Sequence, residues 1–521
     1  MSLLGLAGRQ RGLLLLASVS LASLVALRIL VSRARSGIEA PQTSGRRRRS
    51  KKSRRKIYLR GLYNLGNTCF LNSTLQSLSA LDAVGAYVDC CAVAPSGDAS
   101  PVDVAIAAQL QHVLGLLGPQ PRPVAAYSPR ALLSSLGNKS RWVANRGEQD
   151  AQELFQVLSS TLQALSRGPE ASLFSLDVLA STGSAVGGVV STLRQPGSSG
   201  TPERRSGSHR SFSDGSPAPN GSCAENPFLG MAASRTACVL CGYTAAIRHF
   251  TFDNLSLSVP RKRSTTIEEC LALYTVIDQL DDFKCRRCSI SATLAQTKAD
   301  ADRCKAAPSQ SASRPKKAAA AVAESLLEQQ QRLERALAND PEADLESICL
   351  VAPPPGKSTR QTMVARTPRI LVLHLSRSIF LPTGGVAKNP ARVQLQRFLD
   401  LSPFATTGHI STSASQPISG PSVPVDMRSA KSLAAARSRN CLYRLCAVVF
   451  HLGAHDSGHY CTYRRVPAAD GDAGRSAPAG MDSVLAEADR WFVISDTRAT
   501  EVSLTDVLDA GNGYLLFYER L

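Results

Sequence analysis

The chain has 521 residues, 43% of them hydrophobic, and is long enough to bury a large core. Its formal net charge is +19, yet residues 46–60 alone hold ten basic side chains and no acidic one. Because neither aromatic interleaving nor a nucleic-acid-binding module accompanies this stretch, the composition argues against a nucleic-acid-binding protein. It favours contact with anionic lipid or a targeting role.

The first predicted element is an N-terminal membrane anchor at 13–31. Apart from Arg28, this segment consists of apolar and small residues, and it is close to the shortest length that spans a bilayer. A short tail, 1–12, precedes it, and a strongly basic linker, 32–57, follows it. Since basic residues accumulate on the cytosolic side of a membrane helix, this asymmetry predicts a single-pass signal anchor with the rest of the chain in the cytosol. A secretory signal peptide and a mitochondrial matrix presequence are the alternatives.

The next feature is a cysteine, Cys69, at the point where a small polar run meets an apolar pattern of helical spacing. Asn67 and Thr68 are candidate capping residues, so the helix is predicted to begin at the sulfur. The positive end of a helix favours the thiolate, which is the reactive form of cysteine. Taken alone, the stretch fits a nucleophile and a buried structural cysteine equally well.

Two C-x-x-C pairs further along the chain, Cys238 with Cys241 and Cys285 with Cys288, together offer four thiolates. Such a set suits a tetrahedral structural zinc site. The stretch between the two pairs is longer than in a compact zinc ribbon.

A segment near the C-terminus supplies the base that a cysteine nucleophile needs. His459 lies between an apolar run at 445–450 and a mixed aromatic and aliphatic run at 460–463, which predicts a turn between two strands. Imidazole titrates near neutral pH and can accept the thiol proton. Cys69 and His459 need only meet in the folded chain, so their wide separation in sequence is no objection.

The segments around Cys69 and His459 resemble the Cys box and His box of the ubiquitin-specific proteases, a large family of papain-like deubiquitinases. Further family motifs occur in the same order along the chain, at 148–155, 368–375, 491–496 and 513–518. The resemblance runs from about Gly61 to the C-terminus.

This resemblance implies an α+β, papain-like cysteine protease fold shaped as a right hand over residues 58–521, preceded by the single membrane helix. A helical thumb would run to about residue 180, zinc-bearing fingers would include 226–290, and a mostly antiparallel palm sheet would follow. The palm strands are predicted at 368–377, 442–450, 459–465, 491–496 and 514–519. Low-complexity insertions are predicted near 181–225, 291–345, 405–438 and 466–486, with one helix at 318–337.

The resemblance also implies a role for each catalytic residue. Cys69 matches the nucleophile that attacks the carbonyl of ubiquitin's terminal glycine, and His459 matches the general base. Asn64 matches the residue whose side-chain amide stabilises the oxyanion. The third position of the triad departs from the family, because most members have Asp or Asn four residues after the tryptophan, whereas here Ser495 follows Trp491 by four.

Asp496 is the rival for that third position. A serine can accept a hydrogen bond from the imidazole N–H, but it cannot stabilise imidazolium as a carboxylate would. Alternation along a strand would point Asp496 to the opposite face, so Ser495 is the favoured residue.

Substrate binding is implied for four residues. Asp150 and Glu153 match family positions that face the basic C-terminal tail of ubiquitin, and Gly458 and Tyr460 would flank the base and line the slot for the terminal glycines. Without the resemblance, a solvated helical face is the simpler interpretation of the two acids. The four C-x-x-C thiolates match the zinc site of the family's fingers, and no organic cofactor is expected.

The anchor, its basic flank and the serine at the third triad position together resemble the family member that is held in the mitochondrial outer membrane and opposes mitophagy. This implies hydrolysis of isopeptide bonds after the C-terminal glycine of ubiquitin, on chains attached to outer-membrane proteins, with the catalytic domain in the cytosol. Tethering would raise the effective concentration of such substrates. Two other functions stay open: a protease for a ubiquitin-like modifier, and a catalytically silent, membrane-tethered ubiquitin-binding scaffold.

Overall fold

The computed structural model describes residues 56–166 and 225–521, except for short gaps at 94, 96–98, 141–142, 144–148, 246, 307–315, 346–347, 354–355, 421–429, 456 and 468–488. The predicted tail, the membrane anchor and nearly all of the basic linker lie outside the described residues. So do the predicted insertion near 181–225, except its last residue, and most of that near 466–486. Within the described residues, no helix combines the length and apolarity needed to cross a bilayer.

Five helices form the predicted thumb. They are α1 (Cys69–Leu78), α2 (Asp82–Val93), α3 (Pro101–Leu116), α4 (Arg130–Lys139) and α5 (Ala151–Ser166). Helix α1 is central, since all of its residues are buried, including the polar ones. A helix that is enclosed on every side cannot move without disturbing a close-packed core. The packing of the thumb therefore fixes the first residue of α1, Cys69.

The strands lie in the rest of the described chain. In chain order they are β1 (Gly230–Cys238), β2 (Arg248–Phe252), β3 (Leu255–Ser258), β4 (Ser264–Thr266), β5 (Asp278–Phe283), β6 (Gly356–Arg366), β7 (Ile370–Ser376), β8 (Ser378–Phe380), β9 (Val386–Lys388), β10 (Arg392–Gln394), β11 (Phe398–Asp400), β12 (Leu442–Gly453), β13 (Gly458–Val466), β14 (Arg490–Ser495), β15 (Arg498–Val502) and β16 (Gly513–Arg520). The helices among them are α6 (Ile267–Tyr274), α7 (Arg286–Ala306), α8 (Lys316–Asn339), α9 (Ala430–Ser438) and α10 (Leu504–Leu508).

The palm is one large sheet in the order β15-β14-β13-β12-β16-β7-β3, with β11 also paired to β12. Its pairings are antiparallel except that of β3 with β7, which is parallel. All five predicted palm strands are present within a few residues of their expected bounds. The sequence prediction of a mostly antiparallel palm is therefore confirmed.

The two faces of the palm bury different cores. Along β12, Val449 packs with the thumb helices, whereas Val448 and Phe450 pack on the opposite side. Along β16, Leu515 faces the thumb and Leu516 faces away. This alternation follows from the two-residue period of a strand, and it places the thumb against one face of the sheet.

The fingers are a separate antiparallel sheet in the order β2-β1-β6-β5. The predicted insertion at 291–345 lies beside it and contains more structure than expected. The helix predicted at 318–337 is present as α8, and α7 packs against it around Ile290, Leu333 and Leu345. The sequence did not predict α7, because its Ala-, Lys- and Asp-rich composition carries no apolar stripe.

Candidate active site

Cys69 is the first residue of α1 and is 4% exposed. Thr68 occupies the N-cap position, as predicted, but its side chain makes no capping hydrogen bond. Its hydroxyl instead accepts from Leu65 N at 2.8 Å, while Asn64 Oδ1 accepts from Gly66 N at 3.1 Å and from Thr68 N at 3.0 Å. The loop before the cysteine is thus folded around the side chain of Asn64.

Helix α1 is fixed to β13, the strand that carries His459. Near the C-terminus of α1, the guanidinium of Arg464 donates to Gln76 Oε1 at 3.0 Å, Ser79 O at 3.0 Å and Leu117 O at 2.8 Å. Burial lowers the pKa of Arg464 to about 10. This clamp holds the helix that begins with Cys69 against the strand that begins beside His459.

His459 is the second residue of β13 and is half-buried. Its Nε2 lies 2.9 Å from Ser495 Oγ on β14. The register explains the contact: Thr462 pairs with Ile494, so Ser495 lies opposite Cys461 and on the same face as His459. Burial lowers the pKa of His459, and the nearby carboxylate of Asp496 opposes that shift.

Asp496 joins the two halves of this site. Its carboxylate accepts from Asn64 Nδ2 at 3.1 Å and from Asn72 Nδ2 at 2.8 Å, and Oδ2 lies 3.8 Å from His459 Nε2. Its backbone carbonyl accepts from Leu62 N at 2.9 Å. The expectation that Asp496 points away from the imidazole does not hold, because β14 ends at Ser495 and Asp496 sits in the following turn with φ of +48°.

The same turn packs closely on the Cys box. A Cβ at Gly61 would lie 2.5 Å from the backbone of Thr497, so only glycine fits at position 61. Asn72 was not assigned a role from the sequence, although a signal existed. It follows Cys69 by three residues and therefore lies on the same face of α1, one turn along.

Gly458 and Tyr460 flank His459 in the structure, as expected. A Cβ at Gly458 would lie 2.1 Å from Leu452 O and 2.5 Å from the imidazole of His451, which explains the glycine. The ring of Tyr460 packs against those of His451 and Tyr514, with centroid distances of 4.5 and 5.8 Å. Aromatic rings therefore lie beside the base.

The two predicted tail-binding acids differ in their surroundings. Asp150 precedes α5 as a cap: Oδ1 accepts from Gln152 N at 2.6 Å, and the Tyr514 hydroxyl donates to its other oxygen. Glu153 is exposed in the first turn of α5. His374 packs edge-on to Tyr514 at 4.9 Å, and burial lowers its pKa while Asp150 opposes the shift. Sequence reasoning missed Tyr514 and His374. Both lie in family motifs, at 513–518 and 368–375, that were used only to predict strands.

The four C-x-x-C cysteines meet at the tip of the fingers. Their sulfurs lie within 4.8 Å of one another, with 4.0 Å between those of Cys238 and Cys288 and 3.6 Å between those of Cys241 and Cys285. Tetrahedral zinc with Zn–S bonds of about 2.3 Å needs sulfurs separated by about 3.8 Å. The donor set and its spacing are therefore compatible with a zinc ion.

The sequence model of the family described as ubiquitin carboxyl-terminal hydrolase matches residues 60–518. The chain belongs to this family. Human ubiquitin carboxyl-terminal hydrolase 30 is 28% identical over 90% of this chain and 86% of that protein. Ubiquitin carboxyl-terminal hydrolase 27 of Arabidopsis thaliana is 25% identical over 88% of this chain and 85% of that protein.

Among solved structures, the SAGA Ubp8/Sgf11/Sus1/Sgf73 DUB module bound to ubiquitin aldehyde is 17% identical, with a TM-score of 0.49, over 89% of this chain and 70% of that chain. Membership of the ubiquitin carboxyl-terminal hydrolase family makes this protein a cysteine-type deubiquitinase. The family expected from the Cys box and His box is therefore confirmed.

Proposed function

We propose that Cys69 is the nucleophile of this deubiquitinase and His459 its general base. The proposal rests on the contacts of two consecutive residues. Ser495 contacts the imidazole of His459, and Asp496 accepts hydrogen bonds from Asn64 and Asn72, which precede and follow Cys69 in the sequence. With Nε2–H donating to Ser495, Nδ1 is the nitrogen left to accept the thiol proton. The lowered pKa of His459 favours the neutral ring that this step needs.

The reaction then has two halves. The sulfur of Cys69 attacks the carbonyl carbon of ubiquitin's terminal glycine, and His459 passes the thiol proton to the leaving lysine amine, which leaves a thioester. A water, deprotonated by the same imidazole, hydrolyses that thioester and frees the carboxylate. Asn64 has one amide hydrogen on Asp496 and a second available for the oxyanion of each tetrahedral intermediate.

Substrate specificity would come from the approach to this centre. Asp150 and exposed Glu153 provide negative charge for a basic peptide tail, and such complementarity fixes register more than it adds affinity. We expect the rings of Tyr460 and His451 to restrict the approach to the base, which would favour a tail that ends in two glycines.

We infer a structural zinc ion held by Cys238, Cys241, Cys285 and Cys288. When bound, it would link the β1 hairpin to the start of α7 and contribute folding free energy. It lies in the fingers, and no residue of the proposed reaction contacts these thiols.

We further propose that residues 13–31 anchor the enzyme in the mitochondrial outer membrane and that it removes ubiquitin from proteins there, which opposes mitophagy. The support is the sequence: a short apolar segment with a dense basic flank, followed by this catalytic domain. The flank, 32–57, would contact anionic lipid.

A ubiquitin carrying a C-terminal electrophile tests the chemistry. The wild-type chain should form one covalent adduct, Cys69→Ala should form none, and the exposed control Cys304→Ala should react like wild type. By calorimetry, Cys69→Ala should still bind ubiquitin, because only the nucleophile is lost. An adduct on Cys69→Ala would overturn the assignment of the nucleophile. Faster cleavage of a ubiquitin-like modifier than of ubiquitin in parallel assays would overturn the assignment of the substrate.

Imaging of the tagged chain tests the location. The full chain should coincide with a mitochondrial outer-membrane marker, whereas a chain lacking residues 1–35 should be cytosolic and remain active on soluble substrate. If the truncated chain stays on mitochondria, the anchor lies elsewhere.

A further inference from the structure

A half-buried lysine, Lys388, ends the β8–β9 hairpin and reaches the end of β12, beside the active site. Its Nζ lies 2.8 Å from His451 Nδ1, 2.9 Å from His451 O and 3.1 Å from Gly453 O. An ammonium group has three donors, so these acceptors use its hydrogen-bonding capacity fully. In the part of the chain that the structure describes, no carboxylate offsets its charge, and burial, then Arg377, lower the pKa of Lys388 to about 8.

The residues that Lys388 holds shape the turn before His459. His451 pairs with Tyr460 across the sheet, and Leu452 pairs with His459. The imidazole of His451 lies directly over Gly458, where a Cβ would come within 2.5 Å of Nε2. At the other end of the turn, Gly453 has φ of +126° and no room for a Cβ. The turn therefore packs closely against His451 and Gly453, the two residues that the ammonium of Lys388 binds.

We propose that Lys388 is a positioning residue for the catalytic base, which fixes His451 and the end of β12 and thereby sets the position of His459. This inference rests on the proposed role of His459 as that base. Lys388 does not contact the reacting atoms; it acts through His451 and the turn from Gly453 to Gly458.

The hydrogen bond also fixes the charge of His451. Nδ1 can accept from Lys388 only while it is unprotonated, so the neutral ring carries its hydrogen on Nε2. The titratable and charged groups that face it are Lys388 from β9, His455 from the turn, and His459 and Tyr460 from β13. Burial, followed by Lys388 and the two histidines, lowers the pKa of His451 to about 4. No second imidazolium therefore develops beside the base at neutral pH.

A second link from the same hairpin provides a comparison. Ser378, at the start of β8, lies with its Oγ 2.9 Å from His455 Nε2, and this contact is exposed to solvent. Since exposed hydrogen bonds compete with water, this link should position the turn far less than the half-buried ammonium does.

The test is the hydrolysis of ubiquitin with a fluorogenic C-terminal amide. Lys388→Met keeps the length of the side chain and removes the ammonium, and we expect kcat to fall about tenfold or more while KM changes less than about threefold. Ser378→Ala should lose less than about threefold. The charge-matched control is Lys298→Met, which removes an exposed ion pair with Glu334 on the α7–α8 hairpin and should hydrolyse like wild type.

Substitutions of His451 keep the test decisive if Lys388→Met does not fold. His451→Asn retains an acceptor near Nδ1 and should keep kcat within about threefold of wild type, whereas His451→Leu should lose as much as Lys388→Met. Because both changes remove the hydrogen bond between Lys388 and the His451 ring, the loss in an enzyme that combines Lys388→Met with His451→Leu should be smaller than the product of the two single losses.

Two results would overturn the inference: a folded Lys388→Met enzyme with kcat within about twofold of wild type, or a His451→Asn enzyme as slow as His451→Leu. These outcomes leave the proposed function intact, because the wild type still hydrolyses ubiquitin. A wild-type chain that neither hydrolyses ubiquitin nor forms an adduct at Cys69 would instead refute the proposed function, and the role of Lys388 with it.

Discussion

Alanine substitution at Ser495 and at Asp496 should separate two contributions to catalysis that lie next to each other in sequence. The hydroxyl of Ser495 lies 2.9 Å from Nε2 of His459. Asp496 accepts from Asn64 and Asn72 and lies 3.8 Å from the same imidazole. The spacing from Trp491 favours Ser495 as the third member of the triad, but the contacts give Asp496 the larger share of the interactions.

The magnitudes follow from the kinds of bond. Ser495→Ala removes a hydrogen bond between neutral groups, about 0.5–1.5 kcal/mol, or roughly two- to tenfold in kcat/KM. Asp496→Ala removes two hydrogen bonds to a carboxylate, about 1.5–3 kcal/mol each. The two bonds share one acceptor group and are not additive, so the joint loss is about 3–4 kcal/mol, on the order of a hundred- to a thousandfold. We therefore expect Asp496→Ala to be the slower enzyme.

Steady-state hydrolysis of ubiquitin with a fluorogenic leaving group measures both losses. Asp278→Ala is a matched control, since it removes a carboxylate whose ion pair with Arg360 is exposed in the fingers. Thermal unfolding of each variant separates lost catalysis from lost fold. If Ser495→Ala proves the slower enzyme, the serine contributes more to catalysis than the carboxylate, and the reasoning from the contacts of Asp496 is refuted.

Three further predictions concern pH, metal and packing. Because burial lowers the pKa of His459, the acid limb of the pH profile of kcat/KM should have its midpoint below about 6.5. Asp496→Asn removes the charge that raises this pKa, so the midpoint should move lower still. An upward shift would contradict the assignment of His459 as the base. Cys285→Ser should release about one zinc ion per chain and lower the melting temperature by several degrees, whereas unchanged metal content would exclude the finger site. Arg464→Met leaves two buried acceptors and one half-buried acceptor without a donor, so urea denaturation should show the free energy of unfolding reduced by about 3 kcal/mol. A loss below about 1 kcal/mol would show that water replaces the guanidinium.

Much of the fold could be predicted because its signals are local. The palm strands carry continuous apolar runs such as 445–450, and α1 carries an apolar helical pattern, so periodicity locates them. Helix α7 was missed for the same reason, since its stability comes from contacts with α8 around Ile290 rather than from its own pattern.

The candidate site was predictable where the neighbouring sequence gives a residue a chemical role. The motifs around Cys69 and His459 selected these two residues, and the C-x-x-C spacing indicated four cysteines that the structure brings together. Asn72, Tyr514 and Lys388 could not be found this way, because amides, phenols and ammonium groups occur throughout the chain and acquire a role only from three-dimensional contacts. The orientation of Asp496 depended on where β14 ends, and the end of a strand is weakly encoded in sequence.

The turn between β14 and β15 has only two residues, Asp496 and Thr497, between the paired positions Ser495 and Arg498. One of them binds the amides beside the cysteine, and the other packs against Gly61. We therefore expect this turn to tolerate no change of length, in contrast to a region that extends into solvent, such as the α7–α8 hairpin. A single residue inserted into this turn would separate the loop of the nucleophile from the strand of the base, whereas residues added to a solvent-exposed loop would leave both in place.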